Sequence, residues 1–227
     1  MYTLVLEAST AAGSVALLRD SIVRQSRAVA MGASRADTMF PAVIEMLGAE
    51  GIEASAIGEV VCGEGPGSFT SLRIAGAIAK GIAQANAVPL FAIPSLLLAA
   101  AAHETAGAYL VHADALRGER YAMPVHLDDD GVVHADGPVV RVTNDAIGQL
   151  AGARDRLSVL TAVDADEDAV VQPFAAHLEQ IANWRALGTV DLAQWEPAYG
   201  RLAEAQVKWE AAHAQTVDAA LAKARDA

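Results

Sequence analysis

The chain opens on short apolar runs punctuated by turn residues. Tyr2 to Ala8, Gly13 to Leu18 and Ile22 to Ala30 each predict a strand, with Asp20-Ser21 marking the turn between the last two. Runs of this kind give an antiparallel meander. The period then lengthens. From Thr38 to Leu47, Phe40, Val43, Ile44 and Leu47 recur at helical spacing, Met39 and Met46 broaden the apolar face, and Pro41 fits a first helical turn. An apolar run from Ile57 predicts a strand over Val60 to Cys62, followed by a glycine-rich stretch and a helix over Ser71 to Gln84. Pro89 to Ile93 predicts a short strand, and Ser95 starts a helix that ends near His103.

A similar succession begins near Ala108. Strands are expected over Tyr109 to Val111 and Tyr121 to Leu127, joined by a turn near Arg117-Gly118. Asp128-Asp129-Asp130-Gly131 marks the next turn, and Val132 to Val142 continues the meander. A helix over Asp145 to Leu150, a strand over Leu157 to Val163 and a helix over Phe174 to Ala186 follow. Two runs of three strands, a helix and a strand form a weak internal repeat. Each carries a carboxylate at or just after the end of its first strand, Glu7 in one and Asp114 in the other. The expected fold is therefore α/β, with two ribonuclease-H-like lobes of the actin and sugar-kinase type, an analogy that fixes no function. The lobes are expected at 1–104 and 105–200, with a helical tail over 201–227, where the apolar stripe is sparse.

Composition narrows the function. The chain is 53% hydrophobic but only 5% aromatic, so its core is built from aliphatic residues. Its formal net charge of −12 argues against binding bare nucleic acid, which needs a basic footprint. Cys62 is the single cysteine, so no internal disulfide forms, and its apolar strand makes it a buried structural residue. The N-terminus lacks the basic start and apolar run of a secretory signal, and the most apolar segment, Pro94 to Ala102, is too short to span a bilayer. These features predict a soluble cytoplasmic protein without membrane contact.

The richest motif is Gly63-Glu64-Gly65-Pro66-Gly67-Ser68-Phe69-Thr70-Ser71-Leu72-Arg73-Ile74. A strand, a glycine turn and a helix start can aim backbone N–H groups at an anion, with Gly65, Gly67, Ser68 and Thr70 as its loop. The same residues equally suit a tight turn against close-packed neighbours. Glu7-Ala8-Ser9-Thr10 offers a carboxylate and hydroxyls to a hydrated cation, or caps its own turn. No second glycine cradle follows in the later lobe. No two of the six histidines (His103, His112, His126, His134, His177, His213) stand three to five residues apart, so no helical pair chelates a metal. His112, His126 and His134 could meet across the meander with Asp114, although solvent-facing strand positions are the better explanation of them.

Taken together, these residues resemble the bacterial TsaB family, also called YeaZ. Leu4 to Thr10 looks like that family's opening strand, and the glycine block is similar to its most characteristic motif. Val111 to Glu119 looks like its second-lobe hairpin, and Glu196-Pro197-Ala198-Tyr199-Gly200-Arg201 like its C-terminal signature. The resemblance runs over residues 1–209. It implies a non-catalytic scaffold in the machinery that makes threonylcarbamoyladenosine in tRNA. The implied partners are a TsaD-like catalytic subunit and a TsaE-like ATPase, with a homodimer as another association and tRNA reached only through the complex. No cofactor is implied for the isolated chain, while ATP or Mg²⁺ at a subunit junction stays open. The sequence departs from the pattern at Glu7, where Asp is common, at Ser71, where Gly is common, and at Arg35, where catalytic relatives offer a metal-binding His.

The helix from Ser71 to Gln84 has two apolar faces, one of Leu72, Ala75, Ala79 and Ile82, the other of Ile74, Ile78, Gly81 and Ala85. Arg73, Lys80 and Gln84 form its narrow polar strip, so both faces are expected to be covered. The resemblance implies a helix bundle shared with a partner. Its expected residues are Met39, Val43 and Met46 of the first helix with Arg73, Gly76, Ala77, Ile78 and Lys80 of the second. The rival function is an enzyme of the same fold, either a metal-dependent M22-type peptidase or an ATP-binding kinase.

Overall fold

The computed structural model describes residues 1–31, 38–159 and 168–199. Strand β1 (Tyr2–Glu7) is apolar and buried along almost its whole length because both its faces are covered. It pairs antiparallel with β2 (Ala12–Arg19), which pairs antiparallel with β3 (Ile22–Ala30). The chain then forms α1 (Met39–Glu50), stopped by Gly51 at φ 71°, a left-handed conformation that glycine adopts without strain. Strand β4 (Ile57–Gly65) adds parallel to β1, and α2 (Phe69–Asn86) carries the chain over to β5 (Leu90–Pro94), parallel to β4. The sheet order is β3-β2-β1-β4-β5.

Helix α3 (Ser95–Ala100), every residue of it buried, leads into the second sheet. Its strands are β6 (Gly107–Asp114), β7 (Glu119–Leu127), β8 (Val133–Ala135) and β9 (Val140–Thr143). After α4 (Ile147–Ala151) come β10 (Asp155–Val159) and β11 (Ala169–Val171), each parallel to its neighbour. The order β11-β10-β6-β7-β8 repeats the first sheet's plan, three antiparallel strands followed by parallel additions. The fold is thus mixed α/β with two ribonuclease-H-like lobes.

Three expectations change. The meander over 132–142 is two strands, not one: β8 pairs with the end of β7 and β9 with its start, interrupted at Gly137-Pro138. The expected helix over 174–186 is two 3₁₀ turns, Ala175–Gln180 and Trp184–Leu187. Ile181 between them bridges to Val133, and Asn183 is left-handed at φ 47°, so the helical ladder cannot continue. The strand expected over 157–163 runs from Asp155 to Val159. Residues 160–163 lie outside the described residues, as do Arg35, Gly200, Arg201 and the tail over 201–227.

One core joins the lobes. Val5, Val61 and Phe91 of the first sheet, Leu96 to Ala100 of α3, and Tyr109, Val111, Met123 and Val125 of the second form one buried cluster. A second cluster lies under α1 and α2 on the opposite face of the first sheet. Residues 172–199 return to the first lobe. Ala175 N–H donates to Ser14 Oγ at 2.8 Å, Arg185 pairs with buried Glu59, and Val190 N–H donates to Leu90 O. No helix of the described residues is long and apolar enough to cross a membrane.

Candidate functional site

The glycine block and Glu7 meet at the ends of β1 and β4. Glu7 is fully buried. Its Oε1 accepts from Ser9 N–H at 2.6 Å and its Oε2 from Ser95 Oγ–H at 2.8 Å. Ser95 Oγ in turn accepts from Gly65 N–H at 3.0 Å. One carboxyl therefore ties the end of β1, the start of α3 and the glycine turn together. Burial pushes the Glu7 carboxyl above the ordinary glutamate range, against the pull of its bonds to Ser9 and Ser95. Burial likewise raises Glu64, with the Trp195 side chain pulling the other way. Cys62 beneath them is buried, and its thiol is raised by burial and then by Glu7 and Glu64, which makes it inert.

The sign of the Glu7 shift gives a pH prediction. Below the ordinary value both folded and unfolded chains hold the proton. As pH rises through it the unfolded chain ionises first, so the folded state loses stability relative to it until the folded value is passed. The isosteric Glu7→Gln variant lacks this loss. Its stability relative to wild type is expected to rise as pH climbs above the ordinary glutamate range, as measured by urea unfolding at each pH.

The glycine turn is filled from within. Gly65 holds φ 98°, and a Cβ there would stand 2.8 Å from both Ala198 O and Leu72 Cδ1. A Cβ on Gly67 would overlap the backbone of Ser9, whose carbonyl accepts Ser68 N–H at 2.8 Å. Gly65 and Gly67 thus allow close chain-on-chain packing, the tight-turn alternative that the sequence leaves open beside an anion loop. Gly65 is buried, whereas Gly67, Ser68 and Thr70 reach the surface. The filling segment is 195–199. Tyr199 packs on Phe69 with ring centroids 4.6 Å apart, Pro197 sits over Gly76, and Lys80 Nζ donates to Trp195 O. A single stripe of α2, Phe69, Gly76 and Lys80, is therefore covered by the chain's own end. Sequence reasoning missed this partner because nothing local to α2 signals it.

Asp114, the other candidate carboxylate, is exposed and accepts Leu116 N–H at 2.7 Å, capping its own hairpin turn. His112 is buried between Asp168 and Arg120, Nε2 lying 2.8 Å from Asp168 Oδ2 and Nδ1 3.1 Å from Arg120. Burial lowers its pKa, so it stays neutral and donates to Asp168. His126 and His134 do meet, as a cross-strand pair, without His112 or Asp114. Among the described residues no group of three or more His, Cys, Asp or Glu side chains could hold a metal ion.

The outer surface of the α1 and α2 layer differs from the expected set. Met39, Val43 and Met46 point into the first lobe's core and Gly76 lies beneath Pro197, so none of these four faces outward. Their burial follows from the sheet below: α1 turns Met39, Ala42, Val43, Met46 and Leu47 towards it. What α1 exposes instead is Phe40 at 51% and Ile44 at 50%, one turn apart. On α2, Arg73 and Ala77 are exposed, Ile78 and Lys80 are half-buried, and Gly81 and Ala85 extend the exposed small-residue surface.

Residues 32–157 match the model of the family described as TsaD, tRNA N6-adenosine threonylcarbamoyltransferase. The tRNA threonylcarbamoyladenosine biosynthesis protein TsaB of Escherichia coli (strain K12) is 32% identical over 139 residues, 60% of this chain, and the match spans 60% of that relative's own length. The protein of the same name from Bacillus subtilis (strain 168) is 26% identical over 225 residues, 92% of this chain and 98% of that one. Among solved structures, YeaZ from Pseudomonas aeruginosa superposes with a TM-score of 0.71 at 26% identity, covering 87% of this chain and 99% of that chain. A second structure, of an uncharacterized protein with similarity to peptidase YeaZ from Pseudomonas aeruginosa, gives 0.72 at 27% identity, covering 88% and 99%.

Proposed function

The chain belongs to the TsaD-type threonylcarbamoyltransferase family, in its TsaB (YeaZ) branch, and from that premise we propose that it is a non-catalytic cytoplasmic scaffold subunit of the machinery that makes threonylcarbamoyladenosine in tRNA. Its partners in this reading are a TsaD-like catalytic subunit and a TsaE-like ATPase, and tRNA is met only through the complex. The observation that carries the reading is the sealed carboxyl of Glu7. A carboxylate that holds a hydrated cation has to be open to the ion and its waters. Here it is fully buried, bonded to Ser9 and Ser95, under a glycine turn filled by residues 195–199. The docking surface in this reading is the outer side of α1 and α2, led by Phe40 and Ile44, with Arg73, Ala77 and Ile78 beside them. Small residues there let a facing helix approach closely.

Reconstitution tests it. The chain is combined with tRNA, a threonylcarbamoyl donor, ATP and the TsaD-like and TsaE-like proteins of the same organism, each omitted in turn. Modified adenosine is expected only when the TsaD-like subunit is present, and its yield is expected to fall when this chain is omitted. Turnover by this chain alone that disappears in Glu7→Gln would overturn the scaffold reading.

A further inference from the structure

The second lobe carries a constellation that the scaffold reading leaves unused. His126 on β7 and His134 on β8 stand directly opposite each other in an antiparallel ladder, so their side chains share one face of the sheet. Their rings are parallel, with centroids 4.5 Å apart. Each ring is anchored through one nitrogen. His126 Nδ1 lies 2.6 Å from Asp136 Oδ1, and His134 Nε2 lies 3.0 Å from Asp128 Oδ2.

A carboxylate only accepts, so the nitrogen facing it carries the hydrogen in each neutral ring. The other nitrogen, Nε2 of His126 and Nδ1 of His134, keeps its lone pair. A ring held through one N–H by a carboxylate, with the second nitrogen free, is the arrangement found behind metal-ligating histidines. Both rings are open to solvent, at 43% and 34% side-chain exposure, so an ion has a way in. Arg154 Nη2 lies 3.6 Å from Asp136 Oδ2 and steadies the carboxylate that steadies the ring.

We propose that the His126–His134 pair is a site for a borderline divalent transition-metal ion, held by His126 Nε2 and His134 Nδ1 and oriented by Asp136 and Asp128. Imidazole nitrogens suit zinc, nickel and copper, whereas magnesium and calcium take oxygen ligands. Metal–nitrogen bonds of about 2.0 Å lie in the plane of each ring, so the stacked rings must turn out of parallel, their partly exposed carboxylates moving with them, before both free nitrogens meet one ion. Because no third side chain joins among the described residues, water fills the other positions and the site is weaker than an enclosed structural one. Its consequence is local. β8 has three residues, and its Val133 bridges to Ile181 in the segment that returns to the first lobe. An ion across the pair pins β8 to β7 and stabilises the folded chain by mass action.

The test uses the full chain without an affinity tag, titrated with ZnCl₂ and separately with NiCl₂, followed by calorimetry and by thermal melting. One ion per chain and a saturable rise in melting temperature are expected. Both are expected to disappear in His126→Ala and in His134→Ala, whose exposed positions let each variant fold. Asp136→Asn is expected to weaken binding about tenfold, and MgCl₂ is expected to leave the melt unchanged. Wild-type binding retained in either histidine variant, or no saturable binding in the wild type, overturns the proposal.

Discussion

Gly63→Ala is expected to cost about 3 kcal/mol of folding stability, at the upper end of the range for overpacking. The backbone at Gly63 runs so close to Glu7 that a Cβ there would overlap Glu7 Oε2, with Glu7 Cδ at 2.8 Å and Ser95 Oγ at 3.1 Å. The carboxyl cannot swing aside, because both its oxygens are engaged, one by Ser9 and one by Ser95. The clash is specific to the length of Glu7. Glu7→Asp withdraws the carboxyl by one methylene, and Asp is the residue common at this place in the family that the chain resembles. Urea unfolding of the two single variants and the double variant therefore forms a cycle in which the Gly63→Ala penalty shrinks by about 1 kcal/mol or more on the Asp background. Strict additivity would mean that the penalty does not pass through Glu7.

Arg185→Met is expected to destabilise the chain by about 3 kcal/mol, since removing one partner leaves a buried carboxylate without its countercharge. Glu59 has 4% of its side chain exposed and is held by Arg185 Nε and Nη2 and by Thr3 Oγ1. Arg185 itself is 43% exposed, which keeps the effect at the low end of the range for buried pairs. Adding Glu59→Gln removes the stranded charge and is expected to recover most of the loss in chemical denaturation. This pair clasps the returning segment to the first lobe. Amide exchange around Ile181 to Leu187 is therefore expected to quicken in Arg185→Met before the rest of the lobe responds.

The central features of both lobes were legible because they are written locally. The strands β1, β2 and β3 alternate with tight turns, and the glycine block announces a strand, a turn and a helix start. The orientation of α1 was not legible, because apolar residues surround it. The spacing of Phe40, Val43, Ile44 and Leu47 selects a face, yet the sheet takes Met39, Ala42, Val43, Met46 and Leu47 and leaves Phe40 and Ile44 outside. The cover over Gly76 was invisible for a different reason. The small residue does permit close approach, but Pro197 from the far end of the chain makes it. The 3₁₀ turns over 175–187 depend on Ser14, Val133 and Glu59, partners distant in sequence, so helical periodicity misread them. The site followed the same division: Glu7 and the glycines stood out by type, while their sealing required the fold.

The measurement that bears most directly on the scaffold account is light scattering with size exclusion on a mixture of this chain and its TsaD-like partner. Phe40→Glu combined with Ile44→Glu changes two exposed side chains and is expected to leave the melting temperature of the isolated chain within experimental error of wild type. The wild-type chain is expected to elute with the partner as one complex, and the double variant to elute separately, with affinity lowered about 100-fold or more. A folded double variant that forms the complex as tightly as wild type would contradict the account.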